Sequence, residues 1–546
     1  MTNALRILLI SLGVTRMLFS AAQSTSQPKI VIGITVDQMR YDYLQRYRND
    51  YSRDGFLRMM REGFLATNHH YNYVPTYTGP GHASIYTGTT PSFHGIIQND
   101  WFDRASQSMI YCSSDTTVKG VGTESPAGQM SPQYLQSSTL GDALKLHTNQ
   151  RSKVIGVALK DRGATLTAGR TADAAYWFVG GTEGRWVSST WYMKELPAWV
   201  NEFNQSGKAK EYLKQDWKLY AGEEKYDESI SDNNAYETPF KGQQRPVFPY
   251  PLSELAPQNG NYEIIKATPF GNSLTVDFAM QAIEHEQLGD DEYTDLLCLS
   301  FSSTDYVAHQ FGMHSREIQD TYLRLDLDIA RLLKWLDERF GKDGYLVFLT
   351  ADHGGAPTPS YMQTLQSVGG YWKSDRLELA LEDSLAARYG AGDWIINESN
   401  QNIFLNRSLV RSKKLSLKEI QYEAAQITTQ FPEVQTAYTH SDLAQNREGS
   451  GVKTLIENGF DVARSGDVIY LLKPGYIEYG MTGTTHGSGY GYDTHVPLMM
   501  FGFGIQQGES IRRVVIPDIV ATLSQILRIS PPESCTGQPI QEAFKP

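Results

Sequence analysis

Cysteine is scarce. The 546 residues contain three, Cys112, Cys298 and Cys535, so at most one disulfide can form, and nothing in their spacing reads as a cysteine-based metal site. Basic residues do not predominate either. Lys and Arg number 49 against 61 Asp and Glu, a formal net charge of −12. That balance argues against a nucleic-acid partner, which needs a basic face, and any anion site must be local. Beyond the N-terminus no apolar run approaches the roughly 18 residues of a membrane span. Internal repeats, low-complexity stretches and long linkers are also missing. What is present is an ordinary globular composition, 40% hydrophobic and 20% charged, with enough apolar material for a large core. Length alone would suit three or four domains, but large α/β enzymes often use one core with insertions.

The N-terminus, MTNALRILLISLGVTRMLFSAAQS, places Arg6 before a short apolar run and small residues at Ser20-Ala21-Ala22. It reads as a secretory signal peptide, residues 1–22, cleaved near Ala22. Arg16 inside the run weighs against a span, and no Cys follows to carry a lipid. The expected product is a periplasmic protein without a stable membrane anchor.

Three stretches share one pattern: KIVIGITVD (29–37), DLLCLSFSSTD (295–305) and YLVFLTAD (345–352). Each is apolar and rich in β-formers without clean alternation, as strands buried on both faces of a parallel sheet are. Each ends at an aspartate: Asp37, Asp305, Asp352. Ligands of open α/β sheets sit beyond the carboxyl ends of the strands, and three carboxylates gathered there repel one another unless a cation lies among them. His353 directly follows Asp352. His309 follows Asp305 by four residues, one helical turn. Carboxylate oxygen and imidazole nitrogen are donors for zinc in a water-open site. His486, in the loop TGTTHGSGYGYDTHVP (482–497), is either a third partner for Asp305 and His309 or a satisfied loop histidine.

Between the second and third strands, Ile318, Tyr322, Leu325, Ile329, Leu332 and Leu336 fall at helical spacing after Ser315, with Gly341 as the stop. This is a strand–helix–strand crossover. HVPLMMFG (495–502) reads as another buried strand and 514–529 as a closing helix. YTGPGHASIYTGTTPSFHG (77–95) reads as a turn-rich segment with several hydroxyls, and nothing local ranks them.

Taken together, TVDQMR (35–40), PTYTGPGHASIYTG (75–88), GIIQNDWF (95–102), LKDRGA (159–164), SFSSTDYVAH (300–309), TADHGG (350–355) and THGSGYGYDTHVP (485–497) resemble, in one consistent order, the alkaline phosphatase superfamily, specifically its bacterial periplasmic, phosphate-irrepressible type with a threonine nucleophile. The resemblance spans roughly residues 29–530. It implies an α/β fold with a central mostly parallel sheet flanked by helices, and two zinc ions about 4 Å apart. One zinc is implied on Asp37, Thr78, Asp352 and His353, the other on Asp305, His309 and His486. Thr78 is implied as the nucleophile, forming a phosphothreonine that water hydrolyses. Asn99, Lys160 and Arg162 are implied to hold the phosphoryl oxygens, the monoesterase pattern, since phosphodiesterase relatives lack the Lys/Arg pair. The substrates implied are small phosphate monoesters. A phosphodiesterase or nucleotide pyrophosphatase on the same core is the alternative, and a monomer is expected. Among the other histidines His69, His70, His82, His94, His147, His285, His314 and His440 have no matched partners, and His495 is a candidate for orienting a ligand.

Two regions stand outside these elements. Residues 170–290, rich in Trp, Tyr and Lys, read as an inserted cap over the site mouth. Residues 395–475 read as a small α+β subdomain, with strands at 402–405, 433–438 and 468–472 and a helix at 416–429.

Overall fold

The computed structural model describes residues 27–445 and 450–545; the signal read at 1–22 lies outside them. Among the described residues no helix is long and apolar enough to cross a membrane.

The core is a ten-stranded sheet ordered Gly508–Ser510, Phe64–Ala66, Leu498–Gly502, Tyr345–Thr350, Ile30–Val36, Asp295–Phe301, Val154–Ala158, Ala174–Val179, Arg185–Ser189, Gly120–Val121. Its five middle strands, from Tyr345–Thr350 to Ala174–Val179, run parallel. Every residue of the three aspartate-terminated strands is buried, which explains their unbroken apolar runs. The sheet is mixed rather than uniformly parallel: Leu498–Gly502 runs antiparallel to Tyr345–Thr350, and Arg185–Ser189 antiparallel to Ala174–Val179. Register then positions the site. Val36 lies beside Phe301, and Thr35 beside Thr350, so all three chains leave the sheet at one level and their acidic residues meet there.

The crossover helix runs Arg316–Phe340. Ser315 caps it by accepting the Ile318 N–H at 3.1 Å, and the expected stripe Ile318 to Leu336 is buried against the sheet. The closing helix is shorter than the sequence suggests, Asp518–Leu527. Val514–Val515 instead pairs with His69–His70 as a short strand.

The 170–290 stretch is not one appended cap. Ala174–Val179 and Arg185–Ser189 extend the main sheet, and helix Pro269–His285 packs on it through Leu274, Phe278 and Ile283. The smaller sheet, ordered Ile395–Ser399, Asn402–Leu405, Val468–Leu472, Val434–Thr439, is antiparallel throughout. Helices Ser374–Tyr389 and Leu417–Thr428 cover it with Leu377, Leu381, Leu385, Ile420 and Ala424. Its core therefore begins near Trp372, ahead of residue 395. Cys112, Cys298 and Cys535 are all free thiols.

Candidate active site

Asp37 directly follows the strand Ile30–Val36, and Asp352-His353 follows Tyr345–Thr350 by one residue. Asp305 and His309 lie one turn apart on helix Ser303–Phe311, with His309 Nε2 3.1 Å from Asp305 Oδ1. His486 comes from the loop after Ile477 and brings its Nε2 to 3.6 Å from the same oxygen. His353 Nε2 is 3.5 Å from both Asp37 Oδ1 and Asp352 Oδ2.

All three imidazoles are held the same way. His353 Nδ1 donates to the Gly354 carbonyl at 2.8 Å, His309 Nδ1 to Thr484 at 2.7 Å and His486 Nδ1 to Thr76 at 2.8 Å. A carbonyl only accepts, so the proton sits on Nδ1 and each Nε2 offers a lone pair to the site, the arrangement metal-bound histidines use. Burial pushes both His353 and His486 below the ordinary histidine value, which keeps these two neutral and able to ligate.

The carboxylates complete the fit to a metal. Asp37 Oδ1, Asp305 Oδ1 and Asp352 Oδ2 are buried and accept no hydrogen bond. Burial, then repulsion from Asp305 and Asp352, drives the Asp37 carboxyl well up. Burial acts in the same direction on Asp305, but His309 and Lys160 overcome it and hold that carboxyl well down. Bare buried carboxylate oxygens facing neutral imidazole nitrogens form a cation site, and the N/O donor set is the one zinc takes in catalytic centres. Ligand atoms of Asp37, Asp352 and His353 lie within 4.8 Å of one another, and so do those of Asp305, His353 and His486. The two groups abut: the His353 and His486 rings stack at 3.5 Å. His353 reaches into both, whereas His309 contacts the second group through Asp305.

Residues 77–95 are not a loop. Thr78–Thr87 is a fully buried helix, and Pro91–His94 another short one. Thr78 opens the first helix with its Oγ1 3.4 Å from His353 Nε2. Gly81 is required here: a Cβ would lie 2.3 Å from the Asp352 carbonyl oxygen. Gly81→Ala should therefore push the helix off Asp352 and lower turnover by at least ~10²-fold, with circular dichroism showing a retained fold. Full activity in that variant would mean the Thr78–Asp352 spacing does not matter.

Lys160 Nζ bridges Asp37 Oδ2 at 2.6 Å and Asp305 Oδ2 at 2.5 Å. Arg162 reaches Thr78 Oγ1 at 3.4 Å and the Tyr111 hydroxyl at 3.1 Å, and that hydroxyl donates to Asp161 at 2.5 Å. Asn99 Oδ1 accepts the Gly79 N–H at 2.7 Å, which leaves its amide free to donate. Lys160, Arg162 and Tyr306 also line a cavity of about 460 Å³ whose far wall is Gly180–Glu183, Glu263 and Lys266.

Two positioning residues escaped the sequence reading. His82 donates Nδ1–H to the Thr78 carbonyl at 2.9 Å, lies 3.2 Å from Asp352 Oδ2 and bonds Ser300 through Nε2 at 2.8 Å. Its i−4 spacing from Thr78 would have revealed it only if the segment had read as a helix. Tyr111, which holds Arg162, gave no signal. His495 touches none of the expected ligands. It stacks between Tyr41 and His70 and bonds the Thr67 carbonyl at 2.9 Å.

Residues 31–494 match the family model described as type I phosphodiesterase / nucleotide pyrophosphatase. A relative from Myroides odoratus named calcium-transporting ATPase is 42% identical, covering 96% of each chain. Alkaline phosphatase PafA of Elizabethkingia meningoseptica is 40% identical, again over 96% of each chain. The crystal structure of wild-type alkaline phosphatase PafA superposes with a TM-score of 0.91, covering 95% of this chain and 99% of that one.

Proposed function

Because the chain belongs to the type I phosphodiesterase / nucleotide pyrophosphatase family, we infer that the two acidic–imidazole groups act on a phosphoryl ester. It is a phosphomonoesterase of the alkaline phosphatase kind. The observation that carries the finer reading is the convergence of Thr78 Oγ1, His353 Nε2 and Arg162 within 3.4 Å contacts, beside three buried carboxylates that lack a cation partner on their free oxygens. The reading includes two zinc ions, one on Asp37, Thr78, Asp352 and His353 and the other on Asp305, His309 and His486. When bound, they supply Lewis acidity that lowers the pKa of a hydroxyl or water and offsets phosphoryl charge.

Thr78 serves as nucleophile because its oxygen faces the acidic–imidazole groups, 3.4 Å from His353 Nε2 and 3.4 Å from Arg162. The Thr78 oxygen stands at a helix N-terminus, but that dipole contributes at most ~2 kcal/mol. Bringing an aliphatic hydroxyl to ionisation near neutral pH takes several pK units at ~1.4 kcal/mol each, so the acidic–imidazole groups must hold the cations that do the rest. Arg162, Lys160 and the Asn99 amide donate to the nonbridging phosphoryl oxygens; Tyr111 and Gly79 fix two of the three donors in advance. Thr78 attacks phosphorus as the ester P–O bond breaks, the alcohol leaves with a proton, and water then cleaves the phosphothreonine. Residues 1–22 direct secretion to the periplasm, and the enzyme works as a single chain on small phosphate monoesters.

Lys160 and Arg162 favour monoesters over the diesters of the family's other members, since a monoester presents more unesterified oxygen charge. Comparison of p-nitrophenyl phosphate with its bis ester tests this: the monoester should be preferred, and a strong bis-ester preference would sink the reading. Lys160→Ala and Arg162→Ala should each cost ~10²-fold or more in monoester kcat/KM, with much smaller losses on the bis ester. Calcium transport, the activity in the name of the Myroides relative, draws no support from this site geometry.

A further inference from the structure

The candidate ligands are not equally enclosed. The side chains of Asp37, Asp352 and His353 are 0% exposed, those of Asp305 and His486 4% and 5%, and that of His309 26%. His309 therefore marks where the site opens to solvent. Thr78 Oγ1 contacts His353, on the closed side. In phosphoryl transfer the leaving oxygen lies roughly in line with the attacking one. With Thr78 attacking, the alcohol departs on the side of Asp305, His309 and His486.

Tyr479 stands at that opening. Its ring stacks on the His309 ring, with centroids 5.6 Å apart and planes inclined by 29°. Its hydroxyl donates to the His309 carbonyl at 3.2 Å. The residue nevertheless stays 41% exposed. The loop that carries it is anchored along its length. The Met481 carbonyl accepts from the Tyr371 hydroxyl at 2.9 Å and from Ser360 Oγ at 3.1 Å. Gly483 N–H donates to the Tyr236 carbonyl at 2.8 Å, and Thr484 N–H to the His309 carbonyl at 3.3 Å. Gly483 has φ +72°, and a Cβ there would collide with the His309 carbonyl oxygen, so the loop can lie this close to His309 only with glycine at that position.

We propose that Tyr479 is a specificity-determining residue: its ring, held against His309, is the surface on which the alcohol of the ester lies, and it favours aromatic alcohols. The inference rests on the phosphomonoesterase reading with Thr78 as nucleophile. Lys160, Arg162 and Asn99 serve phosphoryl oxygens common to every monoester, so they cannot discriminate between alcohols. Discrimination has to come from what borders the exit. A planar apolar group laid on a tyrosine ring removes surface of both from water and gains ring–ring attraction. A short aliphatic group covers little of the ring. Because the hydroxyl bond and the His309 stack already fix the Tyr479 rotamer, seating the alcohol costs little further side-chain entropy.

The test separates binding from turnover. Benzylphosphonate and ethylphosphonate carry a methylene where phenyl phosphate and methyl phosphate carry the ester oxygen, so neither offers a P–O ester bond to cleave. Titrated calorimetrically into the zinc-loaded full chain, benzylphosphonate should bind at least ~5-fold tighter than ethylphosphonate. Tyr479→Ala should shrink that ratio to ~2-fold or less, and Tyr479→Phe, which keeps the ring and loses only the bond to the His309 carbonyl, should retain it. In parallel, Tyr479→Ala should raise KM for phenyl phosphate but not for methyl phosphate. Should the alanine variant fail to fold, Tyr479→Leu, apolar but without a plane, provides the same comparison. The proposal is overturned if the wild type binds both phosphonates alike or if the alanine variant keeps the preference. It is equally overturned if Tyr479→Phe loses the preference along with Tyr479→Ala, the outcome for a residue that only steadies His309. A wild type that turns over no monoester would overturn the reading on which the proposal stands; monoester turnover without discrimination between the phosphonates would overturn the proposal alone.

Discussion

Thr78→Ala should lose at least ~10⁴-fold in kcat on p-nitrophenyl phosphate, about 5.5 kcal/mol of transition-state stabilisation, while remaining folded. The other hydroxyls of the segment cannot substitute. Thr87 Oγ1 donates to the Ala83 carbonyl at 2.8 Å, Ser84 Oγ is held by Tyr73 at 3.0 Å and His94 at 2.9 Å, and Tyr86 donates to Gly33 at 3.0 Å. Thr78 Oγ1 has only its two 3.4 Å neighbours, His353 and Arg162. It caps no helix, so truncation removes a reactive oxygen and a methyl group at a cost in stability of about 1 kcal/mol. Thr78→Ser keeps the oxygen and should retain far more activity than Thr78→Ala. If the alanine variant kept about a tenth of wild-type turnover or more, covalent catalysis through this residue would be excluded.

Removal of zinc with a chelator should abolish turnover, and restoring zinc should recover it. Asp37, Asp305 and Asp352 are all buried, and Lys160 bridges two of them. Each unpaired buried carboxylate is costly, so the stripped protein should also melt at a lower temperature. The same balance predicts that Asp305→Asn, which removes the carboxylate shared by His309, His486 and Lys160, fails to regain activity on zinc addition. Undiminished turnover after chelation would contradict the assignment of the cations to these residues.

The legible parts of the fold were those where burial alone dictates the residue pattern. Ile30–Val36, Asp295–Phe301 and Tyr345–Thr350 are enclosed on both faces, and their unbroken apolar runs say so. The same logic hides strand direction: Leu498–Phe501 is buried too, yet its strand runs antiparallel, because side-chain burial carries no polarity. Ala174–Val179 reads with the Trp- and Tyr-rich stretch 170–290 as part of an inserted cap, yet it extends the main sheet, and its Tyr176 ring packs against Phe278. Thr78–Thr87 was unreadable as a helix. Its two glycines and proline argue against one locally, and tight packing on Asp352 overrides that propensity. This error also concealed His82. The candidate ligands Asp37, Asp305, His309, Asp352 and His353 could be suspected from spacing to the strand ends, whereas Asn99, Lys160 and Arg162 carried no local signal and rested on the family resemblance.

The most direct test is to quench the zinc-loaded enzyme with acid during turnover of a phosphate monoester and map the phosphate by peptide mass spectrometry. The account predicts one phosphorylated residue, Thr78, and no label in Thr78→Ala. Phosphate on Ser84, Thr87 or another side chain, or an enzyme that turns over without ever carrying phosphate, would contradict it.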